Sequence, residues 1–337
     1  MASSTAASFT IVPEHTVAKE SSALETGDST RSSILAVIVL YKSSIDRSST
    51  CRSIRDQEGY DRGAFTVLVY DNSPVANSAG LPSGWMYVSD PTNKGLSEAY
   101  NHAIFRCKDL GARWLLLLDQ DSSLPRNFFT NLQLDTARCY EQSEIAAIVP
   151  LVFSRQRHIS PVLPKFGFDL LYGVARSTTS EWLAAINSAT CVRVSFVESI
   201  GGFTDEFWLD YLDHWLFRRI YDTAHSVFVS EMRVEHSLSV AEFNNGLELS
   251  RYKNVLAAER AFTNRYLPRL WRPILALRLM ARASKHALRT RNKSIASVMF
   301  LAALQEFSSI FDLNSGGDAN SCDKRIASRN EGKTSAQ

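Results

Sequence analysis

Short apolar runs, each closed by a polar cluster, recur along the chain and predict buried strands. Seven apolar residues at 34–40 lead into the polar residues 41–44, and the run 65–70 ends at 71–74. Similar runs lie at 85–88, 114–118, 145–149 and 226–229. Helices are predicted at 96–108, where the apolar residues share one face, and after Pro125. Strands that alternate with helices predict an α/β fold in which helices flank a mainly parallel central sheet.

The two ends of the chain differ in composition from its middle. Residues 1–33 are rich in Ser, Thr and Ala, with acidic residues between them, and lack the apolar core of a secretory signal. Residues 313–337 are polar and rich in Gly, Ser and Asn. Both segments are predicted to be disordered, because they offer too few apolar residues to build a core. One folded domain is expected at residues 34–264.

A basic region is predicted at residues 265–312. No acidic residue lies between Glu259 and Glu306, and cationic side chains alternate with leucine, isoleucine and tryptophan. This pattern predicts one or two basic amphipathic helices. Two hypotheses stay open: peripheral contact with an anionic membrane surface, which we favour, or a packing element or oligomer interface with a solvated charged face.

Overall composition excludes several classes of protein. The formal net charge of +2 does not fit a nucleic-acid-binding polyelectrolyte. The five cysteines include no Cys-x-x-Cys pair, which argues against a zinc site or a disulfide framework and fits a reducing cytosol. No apolar stretch approaches the roughly 20 residues needed to cross a bilayer. A cytoplasmic location is expected, with any membrane contact at the inner face of the plasma membrane.

The segment 113–121, Arg-Trp-Leu-Leu-Leu-Leu-Asp-Gln-Asp, is the strongest chemical signal. Trp114 and the four leucines predict a strand that is buried on both faces. Since carboxylates are excluded from such a core, Asp119 and Asp121 are expected at the carboxyl end of the strand, where α/β sheets bind ligands. Two carboxylates there suit Mg²⁺ or Mn²⁺ held together with the phosphates of a substrate. The alternative is an acidic turn that only closes the strand.

Further polar clusters follow other predicted strands, where a nucleotide could be held. Tyr41 with its loop, and Asp71 with Asn72, could hydrogen-bond a base and a ribose. Asn93, Lys94 and Gly95 combine an amide, a cation and a flexible residue at a helix N-terminus, a pattern that predicts an anion site. Each cluster alone is typical of a turn. Their order at successive strand ends favours a nucleotide site.

A second dense segment, residues 201–215, runs from a Gly-Gly pair through aromatic residues to Asp210 and Asp213. On a helical turn these two carboxylates, three residues apart, would share a face. Partial shielding by aromatic side chains suits a general base, although acidic residues also favour helix N-termini for electrostatic reasons alone. His236 follows a predicted strand. Together with Asp121 it could complete a metal site of mixed oxygen and nitrogen donors.

These motifs, in this order, resemble the GT-A glycosyltransferases of family 2, and within them bacterial rhamnosyltransferases most closely. The resemblance covers roughly residues 34 to 260. It is carried by Val39-Leu40-Tyr41, Asp71-Asn72-Ser73, Asn93-Lys94-Gly95-Leu96-Ser97-x-Ala99-x-Asn101, Asp119-Gln120-Asp121, the segment from Gly201-Gly202-Phe203 to Asp213, His236 and Arg251-Tyr252-Lys253-Asn254.

The resemblance implies a GT-A fold, that of nucleotide-diphospho-sugar transferases, and an inverting transfer of a sugar from a nucleotide diphosphate. It implies that Asp121 binds the divalent ion, that Asp119 contacts the ion or the ribose, and that His236 is a further ligand. Asp213 is expected to deprotonate the acceptor, with Asp210 as an orienting neighbour, and the reverse assignment stays open. The expected donor is dTDP-L-rhamnose, and the expected acceptor is a saccharide or a lipid-linked oligosaccharide of a surface polysaccharide.

Several alternatives stay open. Another UDP-, GDP- or dTDP-sugar could be the donor. A nucleotidyltransferase would carry a Gly-rich basic loop after the first strand, which residues 41–44 lack. A non-catalytic scaffold derived from the fold is disfavoured by the metal and base candidates occurring together. Two positions depart from the family pattern, because Trp215 stands where relatives commonly carry Glu and Ser239 where they often carry Gly. Homo-oligomer formation is left open.

Overall fold

The computed structural model describes residues 34–59, 62–165, 168–236, 249–289 and 293–312. The segments predicted to be disordered, 1–33 and 313–337, lie outside these ranges, and so does Ser239.

Twelve strands and eight helices are present in the described ranges. The strands are β1 Ile34–Leu40, β2 Phe65–Asp71, β3 Met86–Ser89, β4 Trp114–Asp119, β5 Ser122–Ser123, β6 Ile145–Ser154, β7 Arg157–Ser160, β8 Val162–Lys165, β9 Phe168–Leu171, β10 Ser177–Thr179, β11 Thr190–Arg193 and β12 Ser226–His236. The helices are α1 Ser49–Arg55, α2 Gly95–Leu110, α3 Phe128–Arg138, α4 Val194–Ser199, α5 Leu212–Asp222, α6 Leu249–Tyr266, α7 Trp271–Arg289 and α8 Ser294–Asp312.

One large sheet has the strand order β10-β12-β6-β11-β4-β1-β2-β3. The four strands β3, β2, β1 and β4 run parallel to their neighbours in this group, and β12 is parallel to β6. Strand β11 is inserted antiparallel between β4 and β6. The short strands β5 and β7 pair with β12 and β6, and β8 and β9 form a separate hairpin. The α/β fold predicted from the alternation of strands and helices is confirmed.

The sheet is buried on both faces because helices cover each side. Alternate residues of β1 belong to different cores: Leu35, Val37 and Val39 pack on one side, and Ile34, Ala36, Ile38 and Leu40 on the other. Helices α2, α4 and α5 cover the first face, and α1 and α3 cover the second. Seven consecutive apolar residues are therefore needed in β1, rather than the alternation of a half-exposed strand.

The C-terminal helices α7 and α8 share a separate apolar core with α6, built from Tyr252 and Leu256 of α6 and from residues of both later helices. Basic residues are concentrated on α7, whereas α8 contains no Lys or Arg. Helix α8 is instead joined to α6 by a buried Glu306, which accepts a hydrogen bond from Arg260 at 2.5 Å. The expectation of basic helices thus applies to α7, and α8 is an apolar packing element.

Replacing a leucine of β4 tests the burial of this strand on both faces. Leu117 is fully buried, so Leu117→Ala should lower the free energy of unfolding by about 2–5 kcal/mol, through lost apolar burial and the cavity left behind. Leu134→Ala is the matched control. That side chain on α3 is 62% exposed, and its loss should change stability by less than about 0.5 kcal/mol. Equal effects in urea denaturation would contradict the two-layer core.

Candidate active site

The polar side chains predicted at strand ends lie along one edge of the sheet. In the parallel group, Val39 aligns with Asp119, Leu40 with Asp71, and Asp71 with Ser89. The chain segments that follow β1, β2, β3 and β4 therefore leave the sheet side by side. A hydrogen bond from the Tyr41 amide to Gln120 Oε1, at 2.9 Å, joins the first of these segments to the last.

Asp119, Asp121 and His236 form a compact group at this edge. One potential ligand atom from each side chain lies within 4.8 Å of the other two. The Nδ1 atom of His236 is 3.6 Å from Oδ1 of Asp121. His236 reaches the group because β5, which directly follows Asp121, pairs with β12 and aligns Ser122 with His236. Two carboxylates and an imidazole are a donor set that suits a divalent ion of the Mg²⁺ or Mn²⁺ type.

Two serines orient the members of this group. The Ser188 hydroxyl donates to Oδ2 of Asp119 at 2.5 Å, and its oxygen is 3.2 Å from Nδ1 of His236. Ser122 Oγ is also 3.2 Å from this nitrogen. Because the single hydrogen of Ser188 is given to Asp119, its oxygen can accept the Nδ1 hydrogen of His236. That tautomer leaves Nε2 available as a metal ligand.

Helix α1 holds the Asp119–Asp121 segment in place. The Thr50 hydroxyl donates to the Asp119 carbonyl at 2.5 Å and accepts from the Ser122 amide at 2.9 Å. Ser48 caps α1 by accepting from the Cys51 amide, and its hydroxyl donates to the Gln120 carbonyl at 2.7 Å. The positioning roles of Ser48 and Thr50 were not predicted from the sequence. A Ser followed by a helical segment is a capping signal, but it does not identify the backbone that the cap will contact.

The electrostatics of the group favour a bound cation. Burial raises the pKa of Asp119, and the nearby Asp213 carboxylate adds to the rise, against the opposing effects of His236 and the Ser188 hydroxyl. Burial also raises the pKa of Asp121, with a further contribution from Asp119 and an opposing one from His236. Within the described ranges, neither carboxylate forms an ion pair with Lys or Arg. A divalent ion would supply the missing positive charge.

The side chains of Asp71 and Asn72 form hydrogen bonds with neighbouring parts of the protein. Asp71 is fully buried and accepts hydrogen bonds from the Ser73 amide at 2.9 Å and the Tyr87 hydroxyl at 2.6 Å. Asn72 is 2% exposed and donates to the Gly95 carbonyl at 3.2 Å. These side chains bring the loop after β2 against the start of α2. The contact of these side chains with a nucleotide stays a prediction.

The start of α2, where an anion site is predicted, is in close contact with Trp208. The amides of Leu96 and Ser97 both point to the carbonyl of Trp208, at 2.7 and 3.4 Å. These two amides are therefore already satisfied, and the anion site at Asn93, Lys94 and Gly95 stays a prediction. Gly95 has a φ of +89°, and a Cβ atom there would lie 2.2 Å from the Trp208 oxygen. The glycine is needed for this close approach. The side chain of Lys94 remains exposed.

Asn101 has a structural role in the motif that contains it. Its side-chain amide donates to the Phe203 carbonyl and accepts from the Phe203 amide, both at 2.8 Å. A Cβ atom on Gly202, whose φ is +87°, would lie 2.8 Å from Asn101 Oδ1. The Gly-Gly-Phe turn is thus clamped to α2. Together with the Trp208 carbonyl, this clamp sets the position of the segment that leads to Asp210 and Asp213.

Asp210 and Asp213 do not share a helical face. Helix α5 begins at Leu212 after Tyr211, which has a φ of +68°, so Asp210 lies outside the helix. Arg251 of α6 binds both oxygens of Asp210, with one contact of 2.6 Å. Asp213 lies in the first turn of α5, where its Oδ1 accepts hydrogen bonds from the amide and Nδ1 of His214 at 2.8 and 2.9 Å. The two carboxylates therefore have different environments, and the prediction of one shared turn is wrong.

No structural role was predicted from the sequence for two residues near Asp213. The Tyr100 phenol is buried, and its oxygen has no hydrogen-bond partner among the described residues. Burial raises its pKa well above the ordinary value, and the nearby carboxylates of Asp119 and Asp213 add to the rise. Tyr100 is thus near both the metal group and Asp213. Trp215, which replaces the acidic residue common in relatives, is buried and packs against Phe203.

No protein-family model matches the chain. The dTDP-rhamnosyl transferase RfbF of Shigella flexneri is 28% identical over 132 residues, which are 37% of this chain and 43% of that protein. The match thus spans less than half of the curated relative. Among solved structures, GalNAc-T7 with UDP, GalNAc and Mn²⁺ has a TM-score of 0.51 at 12% identity, over 84% of this chain and 58% of that one.

The chain has the GT-A glycosyltransferase fold. The fold expected from the motifs is therefore confirmed, and the sequence match is to a rhamnosyl transferase. A third similar protein is the mannosyltransferase PcManGT of Pyrobaculum calidifontis in complex with GDP-Man and Mn²⁺. It has a TM-score of 0.47 at 13% identity and aligns over 91% of this chain and 81% of that one. Within the part of this GT-A chain that the structure describes, no helix is long and apolar enough to span a bilayer.

Removing one carboxylate of the group tests whether it holds a metal. Mn²⁺ should raise the melting temperature of the wild type, since a ligand at 100 times its Kd stabilises the native state by about 2.7 kcal/mol. Asp121→Asn should remove most of this shift and weaken Mn²⁺ binding at least about tenfold in calorimetry. Asp109→Asn changes the same charge on the exposed surface of α2 and should behave like the wild type. An undiminished Mn²⁺ shift in Asp121→Asn would rule out this site.

Proposed function

We propose that this GT-A chain is an inverting, metal-dependent glycosyltransferase, which transfers L-rhamnose from dTDP-L-rhamnose to a hydroxyl of a saccharide or lipid-linked oligosaccharide. The observation that carries the proposal is the Asp119–Asp121–His236 group at the ligand-binding edge of the sheet, with Asp213 close enough to influence the pKa of Asp119. A metal-ligand set with a candidate base nearby is what transfer from a nucleotide sugar requires.

Asp121, His236 and Asp119 would hold the divalent ion. When bound, the ion would neutralise the negative charge of the diphosphate leaving group. Two side chains hold these three residues in position. Ser188 fixes Asp119 and His236, and Thr50 fixes the backbone between the two carboxylates. The exposed Tyr41 ring, beside the end of β1, is available to a nucleotide base, and Lys94 is available to its phosphates.

Asp213 is the better candidate for the base. Both oxygens of Asp210 are engaged by Arg251, so neither is open to an acceptor hydroxyl. Only Oδ1 of Asp213 makes a hydrogen bond in the described part of the chain, so Oδ2 can receive a proton from an acceptor. Asp210 would instead position the segment through Arg251.

The proposed reaction follows from this arrangement. Asp213 takes the proton of the acceptor hydroxyl while the hydroxyl oxygen attacks the anomeric carbon of the donor sugar. The bond from that carbon to the diphosphate breaks, and its electron pair leaves with the nucleotide diphosphate. Because the attack comes from the face opposite the leaving group, the configuration at the anomeric carbon inverts. The proton remains on Asp213 until solvent removes it.

The choice of donor rests on the sequence match to a dTDP-rhamnosyl transferase. A different UDP-, GDP- or dTDP-sugar is the alternative within the same mechanism, and a sugar-nucleotide-binding scaffold without activity is the alternative outside it. A panel of nucleotide sugars, assayed for hydrolysis and transfer with and without Mn²⁺ or Mg²⁺, separates them. Turnover of dTDP-L-rhamnose alone is expected. Turnover of another donor would discard only the rhamnose assignment.

Replacing each carboxylate in turn tests the assignment of the base. Asp213→Asn should lower kcat by about 10²- to 10⁴-fold while leaving Mn²⁺ and nucleotide binding close to wild type, because only proton transfer is removed. Asp210→Asn should lower kcat less than tenfold, a rough expectation for a positioning residue. The reverse order of effects, measured by single-turnover kinetics, would assign the base to Asp210.

We further propose that the C-terminal helices contact the inner face of a membrane peripherally. Leu277 and Leu288 on α7 and Phe300, Leu301 and Leu304 on α8 are large apolar side chains that are 46–89% exposed. The exposed Lys285 lies on α7, and the exposed Lys293 directly precedes α8. Apolar side chains beside cations suit insertion into an anionic monolayer.

Substitutions on α8 test this contact without removing the helix. The triple variant Phe300→Ser, Leu301→Ser, Leu304→Ser should sediment with phosphatidylglycerol vesicles at least about tenfold less than the wild type, because each lost side chain removes apolar burial in lipid. The control triple Phe105→Ser, Leu134→Ser, Leu171→Ser replaces equally exposed residues of the same types elsewhere. Equal loss in both triples would contradict a membrane face on α8.

A further inference from the structure

A cavity of about 450 Å³ lies between the GT-A domain and the C-terminal helices. Tyr211 and His214 form its wall on the side of Asp213. Helices α6, α7 and α8 form the remaining walls, together with Trp182. None of its lining residues belongs to the metal group, so the cavity is separate from the donor side of the site.

Much of the wall is apolar and aromatic. Phe262, Trp271, Ile274 and Met299 come from three different helices and line the same space. The ring of Trp271 meets that of Trp182 edge to face, with centroids 5.6 Å apart. The indole nitrogen of Trp182 is buried and has no hydrogen-bond acceptor among the described residues. This wall suits an apolar chain or ring.

Cationic side chains of α7 line the same cavity. Arg278, Arg282 and Lys285 follow one another at intervals of four and three residues, which brings them to one face of the helix. Arg282 is neutralised by Glu259, with two hydrogen bonds of 2.7 and 2.8 Å. Arg278 and Lys285 form no hydrogen bond or ion pair within the described ranges. The cavity wall contains one further carboxylate, Asp169. Its three cations therefore outnumber its two carboxylates.

The cavity also adjoins the proposed base. His214 lines it, and Nδ1 of His214 is 2.9 Å from Oδ1 of Asp213. A molecule held in this cavity would therefore lie beside His214, the hydrogen-bond partner of Asp213. An apolar wall and two cations without partners among the described residues define one class of ligand.

We propose that this cavity binds an amphiphile with a phosphate head group, whose phosphate contacts Arg278 and Lys285 and whose apolar part lies against Trp271 and Phe262. We assign to it the part of the acceptor that precedes the reacting saccharide. This assignment rests on the proposed glycosyl transfer, whereas the binding of the amphiphile does not. The phosphate can come from an isoprenoid carrier or from a membrane phospholipid, since both share this chemistry.

Farnesyl phosphate, farnesol and inorganic phosphate are the probes, titrated into the full chain by calorimetry. Tryptophan emission serves as a second readout, because Trp182 and Trp271 line the cavity. Farnesyl phosphate should bind saturably with one site per chain, and farnesol should bind more weakly. Arg278→Gln and Lys285→Gln should each weaken farnesyl phosphate about tenfold or more, the loss expected for a charge-assisted hydrogen bond, and leave farnesol unchanged.

Lys293→Gln is the matched control. This substitution removes the same charge at an exposed position directly before α8, and Lys293 does not line the cavity. No binding of farnesyl phosphate, or an equal loss in Lys293→Gln, would overturn the proposal. Displacement of farnesyl phosphate by phosphatidylglycerol vesicles would identify a phospholipid as the source of the phosphate. Lack of displacement would identify a carrier, and both results support the anion site.

Nucleotide binding in the same variants separates this inference from the proposed function. Arg278→Gln and Lys285→Gln should bind dTDP with Mn²⁺ as the wild type does. If no nucleotide sugar is turned over but farnesyl phosphate binds as expected, the transferase assignment fails and the cavity assignment stands. If turnover occurs and farnesyl phosphate does not bind, only the cavity assignment fails.

Discussion

The exclusion of charge from a fully buried strand is the constraint on which this site depends. The five residues of β4 before Asp119 have no exposure, so its first carboxylate can lie only at the edge of the sheet. Even there, burial raises the pKa of Asp119 and Asp121. The fold offsets this cost with hydroxyl groups and a histidine, and leaves the balance of charge to a cation. The segment 114–121 therefore provides both a buried strand and two carboxylates of the candidate site.

Hydrogen bonds from distant segments give this edge its geometry. The antiparallel strand β11 follows Ser188, which holds both Asp119 and His236. Helix α1 contributes Thr50 from the opposite side. On the side of Asp213, the Trp208 carbonyl and the Asn101 clamp fix the segment that leads to this residue. The site is thus assembled from rigid elements, which favours a preorganised arrangement of charge.

Side-chain contacts join the C-terminal helices to the segment that contains Glu206 and Asp210. Arg251 of α6 holds Asp210, while Tyr266 and Arg265 bind Glu206 at 2.9 and 2.8 Å. The separate core shared by α6, α7 and α8 then forms the cavity beside His214. Contact of these helices with a ligand or a membrane would in this way be transmitted to the segment that carries the proposed base.

The sequence alone determined the positions of β1 to β4, β6 and β12, the burial of β4 on both faces and the location of Asp119 and Asp121 at its end, because apolar periodicity reports burial directly. The motif order also identified the fold. Only the tertiary structure decided which carboxylate of the pair Asp210 and Asp213 is engaged, since Arg251 lies 41 residues away. It likewise revealed Ser188, 69 residues from Asp119, and the Trp208 carbonyl that fills the start of α2. Such contacts join residues that are distant in the sequence. Local patterns of polarity do not encode which distant segments will meet.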